Sequence, residues 1–147
     1  MAITYFPEVR SIANMNPVKV SNLAKPNGFS HVVRSGSNPG LFYISGQSPT
    51  DERGNTVGVG DFEAQVVQTF ENVKKCLQAI GATFEDVTKL TFLVVPMDKF
   101  DIVRKVRKRY LNQRKLPAIT SVGVTSLVNK EWLIELEAIV ETGSKSR

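Results

Sequence analysis

The sequence has few of the residues that bind metals or cross-link chains: among 147 residues there is one cysteine, Cys76, and one histidine, His31. A single cysteine excludes an intramolecular disulfide framework and any multi-cysteine metal site, and a reducing compartment suits it. A single histidine excludes a histidine-based zinc triad or a two-histidine motif within one chain, so no metal centre is expected. Long apolar runs are also missing. None approaches the roughly 20 residues needed to cross a bilayer, so no membrane span is expected. Residues 1–10 lack a basic n-region and carry Glu8 where a secretory signal would be apolar, which makes the cytoplasm the expected compartment.

What is present suits one soluble domain. The apolar fraction of 41% and charged fraction of 22% are ordinary for a globular chain, and 147 residues are enough for one core. The net charge of +5 favours anionic partners through long-range steering. Residues 1–17, with Pro7 and Pro17 and no sustained period, read as an N-terminal extension; 18–143 read as the domain and 144–147 as a tail.

Within the domain, Val18 to Val20 can form a short edge strand. The segments His31 to Ser35 and Leu41 to Ser45, split by Gly36-Ser37-Asn38-Pro39-Gly40, read as a hairpin. Asp61 stands at a helix N-cap, and Phe62, Val66, Phe70, Val73, Leu77 and Ile80 form one apolar stripe that Gly81 can terminate. Glu71 and Lys75 are spaced for an i,i+4 pair. Val87 to Val95 is β-branched and stopped by Pro96, as expected of a central strand. A second helix is expected from Asp98 as N-cap, with Phe100, Val103, Val106 and Tyr110 buried. Ile119 to Ser126 and Trp132 to Glu141 alternate and are expected to pair with one another. The sum is an α+β domain, a sheet whose apolar face two amphipathic helices cover.

Alternation along the last strand puts Glu135, Glu137 and Glu141 on one face. Two readings stand: a solvent-facing sheet surface, or a cleft in which burial raises one carboxyl's pKa and fits it for general acid or base work. Ile119, Ser121, Gly123 and Thr125 leave room on one face of the preceding strand, but no histidine adjoins them, so a serine hydrolase is not indicated. His31 is expected to be a packed or hydrogen-bonded residue, and Cys76 a small core residue. Arg104, Lys105, Arg107, Lys108 and Arg109 form a basic cluster. It spreads over more than one helix face without exposed aromatics between the charges, so a solvated surface is expected rather than a nucleic-acid interface.

Several segments resemble the Rid family of reactive-intermediate deaminases, also called YjgF-like. They are Leu41-Phe42-Tyr43-Ile44-Ser45-Gly46-Gln47-Ser48-Pro49, the helix with Gln65 and Glu71-Asn72-Val73-Lys74, Gly81-Ala82-Thr83-Phe84-Glu85-Asp86-Val87, and Ile134-Glu135-Leu136-Glu137-Ala138-Ile139. The resemblance covers roughly residues 18–141. It implies a chorismate-mutase-like α+β subunit in a homotrimer with ligand clefts between subunits, and hydrolysis of small imines or enamines without metal or organic cofactor. Ser45 matches the serine of the Ser-Gly-Gln motif, and Glu135 matches the carboxylate near the attacking water. Ser121 falls where a cysteine is common, His31 replaces a tyrosine, and Arg104 lies near an asparagine site. Ile119, followed by Thr120, stands where an arginine after Pro-Ala grips the substrate carboxylate. The implied catalytic residues are Glu135 and Ser45, with His31, Arg34, Arg104, Ile119, Thr120 and Ser121 toward the substrate; Arg34 and Arg104 are candidate replacement cations. A noncatalytic ligand-binding or regulatory trimer is the alternative, and RNA binding or cleavage, associated with some relatives, a lesser one.

Overall fold

A computed structural model describes residues 16–143. The remaining parts of the expected extension and tail, 1–15 and 144–147, lie outside the described residues. The first strand, β1 (Asn16–Val18), begins two residues earlier than the sequence reading places it and pairs antiparallel with β2 (Val32–Arg34). The expected hairpin is present: β2 pairs antiparallel with β3 (Leu41–Gln47).

The helix α1 (Phe62–Ala79) is capped at both ends by the residues that predict it. Asp61 Oδ1 accepts from the Ala64 N–H at 3.0 Å, a cap that contributes about 1 kcal/mol. At the other end Gly81 takes a left-handed φ of 67°. Its N–H donates to Gln78 O and that of Ala82 to Leu77 O, the paired bonds of a Schellman stop. Phe62, Val66, Phe70, Val73 and Leu77 are buried, and Cys76 lies among them with its thiol pushed up to about 12 by burial, a core residue and no nucleophile. The expected Glu71–Lys75 pair does not form. Tyr110 donates to Glu71 at 2.8 Å, while Lys75 reaches across to Asn22 O at 2.8 Å.

β4 (Val87–Val94) leads through a 3₁₀ turn at Met97–Lys99 into α2 (Phe100–Arg107). Asp98 is therefore not the N-cap. The Lys99 N–H already bonds Pro96 O at 2.9 Å, so the chain is turning before Asp98 is reached, and α2 starts without a side-chain cap. Phe100, Val103 and Val106 are buried as their spacing predicts.

The strand order is β1-β2-β3-β6-β4-β5, where β5 is Ala118–Gly123 and β6 is Ile134–Glu141. The expected pairing of the last two strands is thus wrong. β5 runs parallel to β4 at the sheet edge, with α2 as the crossover that parallel strands require. β6 inserts antiparallel between β3 and β4. Composition explains the exchange. Ile134, Leu136, Ala138 and Val140 give β6 a fully apolar face suited to the sheet centre, while Thr120, Ser121 and Gly123 leave β5 little to bury. The helices cover the face carrying Phe42, Ile44, Leu90, Phe92 and Leu136. The opposite face, with Tyr43, Lys89, Thr91, Val122, Glu135 and Glu137, has neither helix over it.

Candidate active site

The distinctive local geometry lies where β3 passes β6. Ile44 pairs with Ala138 and Gln47 with Leu136, so Ser45 and Gly46 together stand opposite Glu137, a β-bulge. Gly46 is there because of Glu135. A Cβ on Gly46 would lie 2.0 Å from Glu135 Oε1 and 2.8 Å from its Cγ, so the carboxylate rests directly over the glycine backbone.

Hydrogen bonds tie the bulge to the chain before β2. The Ser45 N–H donates to His31 O at 2.9 Å and its hydroxyl to Ser30 O. The buried Gln47 amide donates to Ser45 O at 3.0 Å and to His31 Nδ1 at 3.3 Å, while His31 Nε2 donates to Ala24 O at 2.8 Å. These partners assign the ring its Nε2–H tautomer and engage both nitrogens away from the Ser45 hydroxyl. No Ser–His nucleophile pair is assembled. Ser45 keeps free acceptor lone pairs, which suits it to orient a donor on a ligand.

The glutamates of this face differ in burial. Glu137 and Glu141 are exposed, whereas Glu135 is half-buried and no donor of the described residues reaches its carboxylate. Burial, and secondarily the charge of Glu137, hold its pKa above the ordinary carboxylate range. Such a group takes and returns protons nearer neutrality. The folded protein holds this proton more tightly than the unfolded chain does. Ionisation therefore counts increasingly against folding as pH rises from the unfolded value through the native one. Glu135→Gln should raise the thermal midpoint at about pH 7 and leave it unchanged at about pH 3. Thermal melts across that range decide it; a gain of equal size at every pH would contradict the cause given.

The other sequence-predicted residues fall elsewhere. Ile119 and Ser121 share the register of Leu90 and Phe92 and so face the helices, with Ile119 packed against the core. Thr120 pairs with Thr91 on the uncovered face, where Lys89 Nζ donates to its hydroxyl. Three strand spacings, roughly 14 Å, separate β5 from β3. Arg34 shares its face with buried Val32 and is exposed at the sheet margin. Arg104, on α2, pairs with Asp101 at 2.6 Å and covers the Phe100 ring at 5.0 Å. Within one chain, then, Ser45, His31 and Glu135 gather around Gly46, and Arg34, Arg104, Ile119, Thr120 and Ser121 do not join them.

Sequence reasoning passed over Gly46 and Gln47 as parts of the site; a glycine inside an otherwise regular strand was the available sign of a bulge. It also passed over a concavity of about 350 Å³ on the uncovered face, lined by Tyr43, Ser45, Lys89, Thr91, Glu137 and Ile139 among others. Among the described residues no group of three or more His, Cys, Asp or Glu side chains is placed to hold a metal, and no helix is long and apolar enough to cross a membrane. Much of the basic cluster is compensated internally. Lys105 and Arg109 hold Glu63 at 3.2 and 3.0 Å, drawing its carboxyl below the usual range, and Lys115 donates to Glu85 O at 3.2 Å.

Comparison with known proteins places this geometry in a wider group. The family model described as Endoribonuclease L-PSP matches residues 20–142. A RutC family protein of Pyrococcus horikoshii is 35% identical over 119 residues, covering 80% of this chain and 90% of that one. A 2-iminobutanoate/2-iminopropanoate deaminase of Dermatophagoides farinae is 31% identical over 112 residues, covering 76% and 84%. Among solved structures, a Rid family protein of unknown function from Yersinia pestis aligns with a TM-score of 0.79 at 25% identity, covering 87% of this chain and 99% of that one. With the match running from just after β1 to just past β6, the chain belongs to the Rid/YjgF family, whose model bears the description Endoribonuclease L-PSP.

Proposed function

We propose that the protein is a cofactor-independent hydrolase of small imines or enamines, active as a cytoplasmic homotrimer. The observation that carries the reading is the Glu135 carboxylate, half-buried over Gly46, reached by no donor of the described residues and biased toward holding a proton. In the reaction, Glu135 accepts a proton from water as its oxygen bonds to the C=N carbon and the nitrogen takes up the electron pair. Glu135 returns that proton to the nitrogen to give the neutral carbinolamine, then takes the hydroxyl proton as the hydroxyl becomes a carbonyl and passes it to the nitrogen, so that the C–N bond breaks and ammonia leaves. Ser45 accepts a hydrogen bond from the substrate. Ile119 and Ser121 lie across the sheet from Glu135, and a site that includes both groups is built from two subunits of the trimer. The relative from Dermatophagoides farinae, named as an imine deaminase, supports the same reaction class.

Ile119 sets the substrate class in this reading. An isoleucine has no charge to pair with a carboxylate, so preferred substrates are uncharged at the group that meets this edge of the sheet in the assembled site. Ile119→Arg should raise kcat/KM for a carboxylate-bearing imine relative to a neutral one by about 10–100-fold, the range of one charge-assisted bidentate contact. Ammonia release from paired neutral and acidic imines measures the ratio, and an unchanged ratio would remove Ile119 from the site.

One observation favours the noncatalytic ligand-binding trimer: the Ser45 hydroxyl and both His31 nitrogens are occupied internally, leaving Glu135 as the protic group of the cluster that no donor of the described residues engages. Ligand binding without ammonia release across the imine panel would establish that reading. RNA binding has less support, because Arg104, Lys105 and Arg109 are each paired with an acid.

A further inference from the structure

Helix α1 buries two side-chain amides that its apolar stripe does not call for. Gln65 and Asn72 are 0% and 1% exposed. Seven residues apart, they lie on one side of the helix, separated by two turns or roughly 10 Å, with Gln68 between them. An amide removed from water without partners costs on the order of 2–7 kcal/mol, so amides persist in a core only where their bonds are made.

Here they are made, and to particular places. Gln65 Nε2 donates to Gly58 O at 3.1 Å and Glu131 O at 2.8 Å, while its Oε1 accepts from the Leu133 N–H at 2.8 Å. Asn72 Nδ2 donates to Ser48 O at 2.8 Å and Thr50 O at 2.9 Å, and its Oδ1 accepts from Gln68 Nε2 at 3.0 Å. Gln68 also donates to Thr50 O at 3.2 Å. Leu133 precedes Glu135 by two residues, and Ser48 follows Gly46 by two. One rigid helix therefore grips the entry to β6 with one amide and the exit of β3 with the other. Those are the two chain segments whose separation decides how closely the Glu135 carboxylate lies over Gly46.

We infer that Gln65 and Asn72 are positioning residues, whose side-chain amides hold the ends of β3 and β6 in the register that keeps Glu135 seated on the Ser45–Gly46 bulge. As a statement about reaction it rests on Glu135 handling the proton in imine hydrolysis; as a statement about the carboxylate's surroundings it does not. A purely stabilising role would make these positions equivalent to any other buried residue of α1. The groups around Glu135 are few enough to make its titration a clean reporter. They are Glu137 on its own strand, Leu93 directly opposite on β4 with Lys89 further along it, the Ser45–Gly46 backbone on β3, and the His31 ring bonded to Gln47 beyond the bulge.

The test uses the full chain with ¹³C-labelled glutamate, following the Glu135 carboxyl by NMR across pH and assigning its signal with Glu135→Gln. Gln65→Met and Asn72→Leu remove the amides at nearly constant volume; Val66→Ala, at a buried neighbouring position, lowers stability without touching either amide. In both amide variants the Glu135 midpoint should move down toward the ordinary carboxylate range, with kcat for the preferred imine falling about tenfold or more and KM changing less than about twofold. Val66→Ala should leave the midpoint in place. Should the amide variants fail to fold, Gln68→Ala, at a half-buried position, loosens the Asn72 grip and carries the same expectation. A Glu135 midpoint unchanged in the folded amide variants, or moved equally by Val66→Ala, overturns the inference. A moved midpoint in a protein that turns over no imine sustains the positioning and rejects the proposed reaction.

Discussion

With Glu135 replaced by glutamine, ammonia release from the preferred imine should fall by about 10²–10⁴-fold, the contribution of one well-placed general acid–base group. Glutamine keeps the length and polarity of the side chain, so it still fits over Gly46, but it can neither take a proton from water nor return one to the departing nitrogen. The loss should appear in kcat, because the carboxylate is assigned to the reacting water and not to a binding contact. Steady-state ammonia assays on wild type and variant give the ratio. Turnover within about threefold of wild type would exclude Glu135 from the chemistry, since even a weak general base contributes more than that.

Gly46→Ala should produce a loss of similar character by a different route. The added methyl would sit 2.0 Å from Glu135 Oε1, and what it meets is a side chain that can swing aside, not a backbone wall. Folding should therefore survive, with a cost of about 1–3 kcal/mol from local overpacking. The carboxylate would be displaced by an ångström or more, for which about a 100-fold fall in kcat is the expected consequence. The informative result is the combination: circular dichroism and a cooperative melt like those of wild type, with activity near that of Glu135→Gln. In the double variant Gly46→Ala/Glu135→Gln the two losses should not add, because the methyl acts only through the carboxylate. Additive losses would mean that Gly46 matters to substrate contact and not to Glu135.

The elements that were legible in the sequence share one property: their signals are local. Asp61, the stripe from Phe62 to Leu77 and Gly81 specify α1 within twenty-one consecutive residues, and its observed bounds follow them. What was not legible depends on choices between distant segments. β5 and β6 alternate alike, and nothing in either states that Ile134 to Val140 will take the centre of the sheet while Ala118 to Gly123 take the edge. The decision is made by the relative apolarity of whole faces competing for the same helices. Asp98 shows the same limit on a smaller scale, since an acid at a plausible cap position cannot reveal that Pro96 has already started a turn. At the candidate site, the carboxylate alternation identified a face but not which glutamate is buried. That was settled by the bulge at Ser45–Gly46, which shifts the two strands against each other.

The central place of β6 also bears on how the chain is made. β3 is complete by Gln47 and β4 by Val94, yet the strand that joins them is the last of the described elements, and Leu41 must wait for Glu141 to find its partner. During synthesis the ribosome therefore releases two apolar strand edges long before the segment that satisfies both. Pairings between such distant positions form slowly and leave incomplete chains prone to association. A nascent or C-terminally clipped form lacking β6 is less a shortened protein than a sheet without its middle, and it is the form that cellular chaperones have most cause to bind.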